Sequence, residues 1–151
     1  MRQGLGPWPD VEQHRLFDEQ LLVVCSPAFA AGRRIEAPVD LLVLPLLQPA
    51  FGSWSTWFTA HGLEAPATVQ MPNNDSELMI AGAVQGLGVA LARSVLAEQD
   101  LRAGRLVQPL PGVVDAASSY TLVWRADSRK LDRIIALRDW FAAEVAATQA
   151  A

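Results

Sequence analysis

The chain has 151 residues, 51% of them hydrophobic and 19% charged, so it can bury a substantial core, and a globular domain is expected. Its formal net charge of -4 argues against a surface that binds nucleic acid through clustered basic residues. The single cysteine, Cys25, excludes an internal disulfide and a cysteine-rich metal cluster. The N-terminus lacks the apolar core of a secretion signal, and no run reaches the roughly 18 apolar residues that span a bilayer. We therefore expect a cytoplasmic protein that does not contact a membrane.

The first third of the chain predicts a strand, a short helix and a second strand. Residues 1–15 are rich in glycine and proline, which favours an irregular lead-in. The apolar run at residues 19–25 predicts a buried strand, and Ser26 is placed to cap the short helix that follows it. Residues 43–48 predict another strand, which Pro45 should confine to an edge or a bulge.

An aromatic helix is expected next. Ser53 should cap a helix at residues 54–61, on which Trp54, Trp57 and Phe58 share one face. Such an aromatic face packs into a core more often than it contacts a ligand, and both alternatives stay open.

The most informative stretch covers residues 73–92, NNDSELMIAGAVQGLGVALA. Asn74 and Glu77 have the spacing of a capping box, which predicts a helix from about Asp75. Gly86 stands where that helix should end, and the apolar alternation after it predicts a short buried strand. The polar NNDS start is either only a helix cap or a ligand contact, because free N–H groups and hydroxyls converge there and the helix dipole favours an anion.

The other expected elements are strands at 67–71 and 119–125, helices at 94–99 and 131–147, an extended segment at 106–110 and a loop at 111–118. Strands that alternate with helices indicate an α/β fold with a mixed sheet.

Catalytic motifs are not evident. His14 and His61 are the only histidines, and neither has a partner at metal-ligand spacing. The G-x-S-x-G motif of serine hydrolases is missing, and the glycines near Gly86 follow a helix instead of preceding one, which is the wrong order for a dinucleotide site. We expect no enzyme activity, cofactor or metal.

Several segments together resemble the effector-binding domain of LysR-type transcriptional regulators, most closely the glycine-cleavage activator branch. They are GPWPDVEQHRLFDEQLLVVCSPAF, LLQ followed by W-x-x-WF, NNDSELMIAGAVQGLGVALARSVLAEQDLRAGRLVQPL, YTLVW and IIALRDWFAAEV. The resemblance implies a fold like type 2 periplasmic binding proteins, in which a small effector binds between two α/β subdomains.

By this resemblance the chain is a truncated effector domain that lacks the helix-turn-helix and most of the first subdomain. Residues 1–15 would be a lead-in or hinge segment, and residues 16–111 the second subdomain. Residues 112–151 would supply a return strand and a C-terminal helix that pack on the missing first subdomain. DNA would be contacted only through a helix-turn-helix outside this chain.

The resemblance also implies an effector site. Its expected contacts are Gln48, Ser53, Trp54, Asn74, Asp75 and Ser76. The effector would be a small molecule, such as an amino acid or carboxylate. A stand-alone solute-binding protein of similar architecture is the alternative function. Because the final helix has an apolar face without its natural sheet, we expect a homo-oligomer such as a dimer.

Overall fold

The computed structural model describes residues 1–4, 6–48, 54–66, 70–72 and 75–149. The strands are β1 (Arg2–Gly4), β2 (Glu12–Val24), β3 (Leu46–Gln48), β4 (Gln70–Pro72), β5 (Val89–Arg93) and β6 (Val114–Trp124). The α-helices are α1 (Pro27–Ala31), α2 (Trp54–Ala60), α3 (Ser76–Val84), α4 (Ser94–Arg102) and α5 (Leu131–Gln149), and a 3₁₀ helix covers Pro38–Val43. Among the described residues, no helix is long and apolar enough to cross a membrane.

The chain divides into two units. One unit contains residues 1–19 and 117–151, where β1 pairs antiparallel with β6, and α5 belongs to this unit. The other unit contains residues 20–116. In it the end of β2 pairs antiparallel with β5, whereas β3 lies between β5 and β4 and is parallel to both. This mixed sheet with helices confirms the predicted α/β fold.

The larger unit has a core on both faces of its sheet. Alternate residues of β2 point to opposite sides, so Leu21 and Val23 join one buried cluster and Leu22 and Val24 join the other. The aromatic side chains of α2 belong to the first cluster, and the apolar side chains of α3 and α4 to the second. Burial on both faces explains why these strands are continuous apolar runs in the sequence.

Several local predictions are confirmed. Ser26 caps α1, because its Oγ accepts the Phe29 N–H at 3.2 Å. Gly86 follows the end of α3 with a φ of 78°, a left-handed conformation that glycine adopts without strain.

Other local predictions were wrong. Residues 1–15 are not wholly irregular, since they contain β1 and the start of β2. Residues 111–118 are not wholly a loop, because β6 begins at Val114. In both places polar or small residues weaken the apolar pattern, and pairing with a neighbouring strand decides the conformation. The functional roles assigned to residues 1–15, 16–111 and 112–151 stay predictions.

The strand predicted at residues 43–48 forms only over Leu46–Gln48, because Val43 ends the 3₁₀ helix. The expected edge position or bulge at Pro45 was wrong, since Pro45 precedes β3, β3 lies between β5 and β4, and its register shifts between Leu47 and Gln48.

Candidate functional site

The carboxyl ends of the parallel strands form one edge of the sheet in the larger unit. β3 ends at Gln48 and β5 ends at Arg93, and these strands run in the same direction. β4 is also parallel to β3, and α3 begins at Ser76, shortly after β4. Ligands of open α/β sheets bind at the carboxyl ends of parallel strands. The fold therefore brings Gln48 and Ser76, both predicted from the sequence, to the edge where a ligand is expected.

The start of α3 is capped by Asp75. Its Oδ1 accepts the N–H of Glu77 at 2.9 Å and the N–H of Leu78 at 3.3 Å. The sequence prediction assigned the cap to Asn74, and this was wrong by one residue, because the Asp75 carboxylate reaches these N–H groups and α3 begins at Ser76. Two of the N–H groups at this helix end are thus bonded within the protein, and the Asp75 charge offsets part of the positive end of the dipole.

Ser76 is hydrogen-bonded to Arg93, a basic residue that the sequence analysis did not include in the site. Ser76 is only 8% exposed, and its Oγ accepts a hydrogen bond from Nη2 of Arg93 at 3.3 Å. Arg93 ends a strand whose preceding residues, Val89 to Ala92, are all 0% exposed. An arginine at the end of a short apolar run that predicts a buried strand is a sequence feature from which Arg93 could have been identified. The pair places a positive charge and a hydroxyl group side by side at the sheet edge.

Trp54 is a core residue. Its side chain is 2% exposed, and its Nε1–H donates to the carbonyl oxygen of Leu47 at 2.8 Å. Its ring lies 5.9 Å from Trp57 and 5.7 Å from Phe58, between ring centroids. The aromatic face of α2 therefore packs inward, and the indole N–H of Trp54 fixes the backbone just before the end of β3.

The other predicted contacts can be placed only in part. Gln48 is the last residue of β3, and its side chain is not described. Ser53 and Asn74 lie outside the described residues. Asp75 and Ser76 therefore lie together at the start of α3, Arg93 joins them through its bond to Ser76, and Gln48 is placed only as the end of β3 at the same edge of the sheet.

Two other reactive groups lie elsewhere in the larger unit. Cys25 is fully buried, and burial raises the pKa of its thiol from 9.0 to about 11, although Arg33 opposes this effect. His61 Nδ1 lies 2.8 Å from the carbonyl oxygen of Trp57. Within the described part of the chain, no group of three or more His, Cys, Asp or Glu side chains could hold a metal ion.

The sequence matches the LysR substrate binding domain family over residues 1–146. The glycine cleavage system transcriptional activator of Escherichia coli K12 is 36% identical over 149 residues, which cover 97% of this chain and 49% of that protein. The transcriptional activator AmpR of Pseudomonas aeruginosa is 33% identical over 153 residues, covering 99% of this chain and 50% of that protein. The chain thus spans about half the length of the curated relatives it matches.

The fold is also similar to that of a solved effector domain. The effector domain of AmpR from Pseudomonas aeruginosa superposes with a TM-score of 0.80 at 33% identity, and the match covers 99% of this chain and 72% of that domain. This similarity confirms the predicted α/β fold of the type 2 periplasmic-binding-protein class. Family profile, sequence identity and fold agree over almost the whole chain, which therefore belongs to the LysR substrate binding domain family.

Proposed function

We propose that this chain is the effector-binding part of a LysR-type transcriptional regulator and that the effector binds at the sheet edge next to Ser76 and Arg93. The observation that carries the proposal is the Arg93–Ser76 hydrogen bond at the carboxyl ends of parallel strands, where α3 also begins. Effector binding would shift a conformational equilibrium that DNA-binding domains outside this chain convert into a change in transcription.

The chemistry of this edge favours an effector with a carboxylate group. The Arg93 guanidinium, which donates to Ser76, carries a positive charge and a planar fork of N–H donors, the geometry that suits a carboxylate. The Ser76 hydroxyl accepts from Arg93 and keeps its own proton to donate. Asp75 is exposed, and its carboxylate would attract an ammonium group. An amino acid supplies both charges on one small molecule.

The relatives support a regulator over the other classes considered. They are named as transcriptional activators, and nothing among them favours the stand-alone solute-binding protein. They are also not named as enzymes. For a protein with this role we expect a cytoplasmic location in a bacterium, and we expect DNA to be bound through a helix-turn-helix outside this chain.

Saturation-transfer NMR with a panel of amino acids tests the proposal, because the method detects the weak binding expected of a partial cleft. Each amino acid is paired with the amine that lacks its carboxylate. We expect at least one amino acid to bind and its amine partner to bind less well. Replacing Arg93 by Gln should weaken binding by about tenfold or more, because a charge-assisted hydrogen bond is lost.

Arg102→Gln is the matched control, because Arg102 is exposed on α4 and lies in an ion pair with Glu98. It removes the same charge and should leave binding unchanged. Ser76→Ala should weaken binding while leaving the fold intact. Equal loss in Arg93→Gln and Arg102→Gln would show a nonspecific charge effect, and an amino acid that binds with unchanged affinity to Arg93→Gln and Ser76→Ala would contradict the proposed site.

A further inference from the structure

A pocket lies in the larger unit at the opposite end of β5 from Arg93. β2 and β5 are antiparallel, with Val24 beside Ala90, so α1 follows β2 near the start of β5. The pocket has a volume of about 580 Å³. Small-molecule sites typically have volumes of about 300–1,000 Å³. This pocket, whose lining includes Ser26, Phe29, Arg33, Gly86 and Arg105, is called the α1–α3 pocket.

Backbone contacts hold the segments of the α1–α3 pocket together. Cys25 and Val107 exchange two backbone hydrogen bonds, at 3.1 and 2.8 Å, which place the segment after residue 104 beside the start of α1. A Cβ on Gly86 would lie 3.5 Å from the Oγ of Ser26, so the backbone of Gly86 lies close to that hydroxyl group. Ser26 is only 5% exposed. The fold therefore fixes the floor of the pocket.

Arg33 gives the pocket a positive charge that the described residues do not neutralise. The central carbon of its guanidinium lies 3.8 Å from the centroid of the Phe29 ring, and its Nη1 donates to the Phe29 carbonyl oxygen at 3.1 Å. Within the described residues, Arg33 takes part in no ion pair. Stacking on an aromatic ring orients a guanidinium and leaves its edge to bond an anion.

Arg105 and Ser26 add donors to the same pocket. The Nε of Arg105 donates to Oδ1 of Asp100 at 2.5 Å, a bond that orients this guanidinium. Asp100 does not line the pocket, and none of the described residues that line it is acidic. The Oγ of Ser26 accepts the Phe29 N–H, and its hydroxyl proton can be donated to a ligand. Two guanidinium groups and a hydroxyl group suit a carboxylate or a phosphate.

We propose that the α1–α3 pocket binds a small organic anion whose carboxylate or phosphate group lies between Arg33 and Arg105. Pro27, Ala28 and Val84 supply apolar surface for the rest of the molecule. The pocket and the Ser76–Arg93 edge lie at opposite ends of β5, so one chain can hold this anion and the effector at the same time. The anion is a second ligand, and its site does not depend on the proposed effector site.

NMR titration of the isotope-labelled Arg93→Gln chain tests this site, because the substitution removes the arginine of the proposed effector edge. Inorganic phosphate and benzoate are added in separate titrations, with sodium chloride at equal ionic strength as the salt control. We expect saturable shifts of the amides of Phe29 and Gly86 and of the Arg33 Nε–H, with dissociation constants in the millimolar range. Binding of either anion supports the site, and the anion that binds more tightly identifies the group.

Adding Arg33→Gln should weaken this binding by about tenfold or more, because a charge-assisted hydrogen bond is lost. Arg34→Gln is the matched control, since it removes the same charge one residue away, where Arg34 pairs with Glu36 at 2.7 Å and does not line the pocket. It should leave binding unchanged, and circular dichroism verifies that each variant is folded. Equal weakening by the two substitutions would overturn the site. So would the absence of saturable shifts at Phe29 and Gly86 with both anions.

Discussion

Replacing Gly88 by alanine tests the strand pairing that forms the proposed site. A Cβ at this position would lie 2.3 Å from the carbonyl oxygen of Pro45 and 3.3 Å from Cδ2 of Leu47. The first distance is far inside van der Waals contact, so the backbone must move. That carbonyl oxygen also accepts the N–H of Val89 at 2.9 Å, a bond that joins the starts of β3 and β5. The substitution therefore strains the core and disturbs this bond.

The expected cost follows from these two effects. Overpacking a core costs about 1–3 kcal/mol, and a lost backbone hydrogen bond adds about 1 kcal/mol. We expect the free energy of unfolding to fall by about 3 kcal/mol and the melting temperature by roughly 6–12 °C for a domain of this size. Urea denaturation followed by tryptophan fluorescence and a calorimetric scan measure the two quantities.

Gly32→Ala is the control for this experiment. Gly32 ends α1 with a φ of -86°, and its nearest atom to an added Cβ is 4.0 Å away. The same chemical change should therefore alter stability by less than about 0.5 kcal/mol. If Gly88→Ala is as stable as Gly32→Ala, the close approach of Gly88 to Pro45, and with it the described pairing of β3 and β5, is incorrect.

Three further outcomes are expected. Trp54→Phe should lower the free energy of unfolding by about 1–3 kcal/mol in urea denaturation, because the buried carbonyl of Leu47 loses its indole donor; an unchanged midpoint would refute this. Asp75→Ala should cost about 1 kcal/mol in the same assay through loss of the α3 cap, whereas Asp75→Asn should cost less. Because burial raises the pKa of the Cys25 thiol from 9.0 to about 11, the folded chain keeps a proton that the unfolded chain releases in this range. The contribution of the Cys25 thiol to the free energy of unfolding is therefore complete below pH 9 and is lost as the pH rises toward 11. Urea denaturation between these pH values should show this loss for the wild-type chain and not for Cys25→Ala. If Cys25→Ala loses as much stability over this range, the loss does not come from Cys25.

The sequence predicts most of the fold because burial and helix ends leave strong local patterns. The apolar run that becomes the end of β2, the Ser26 cap and Gly86 after α3 each follow from rules that act over a few residues. The start of β2 cannot be predicted from such local rules, because it is polar and its conformation depends on pairing with other strands.

The candidate site is less predictable, because it depends on residues that are distant in sequence. Ser76 could be proposed from its position at a helix start, but its partner Arg93 is 17 residues away and ends a different strand. For Trp54 the local sequence is misleading in the other direction. An aromatic side chain suits contact with an effector, yet the fold buries Trp54 in the core. Only the three-dimensional arrangement of β3, β5 and α3 distinguishes these roles.

The most direct test of the proposed effector site is chemical-shift mapping of the isotope-labelled chain during titration with an amino acid that binds. We predict that the largest shifts fall on the amides of Ser76, Glu77 and Leu78 and on the guanidinium of Arg93, and that Arg93→Gln removes them. Saturable shifts confined to other parts of the chain, or unchanged shifts in Arg93→Gln, would contradict an effector site at the start of α3.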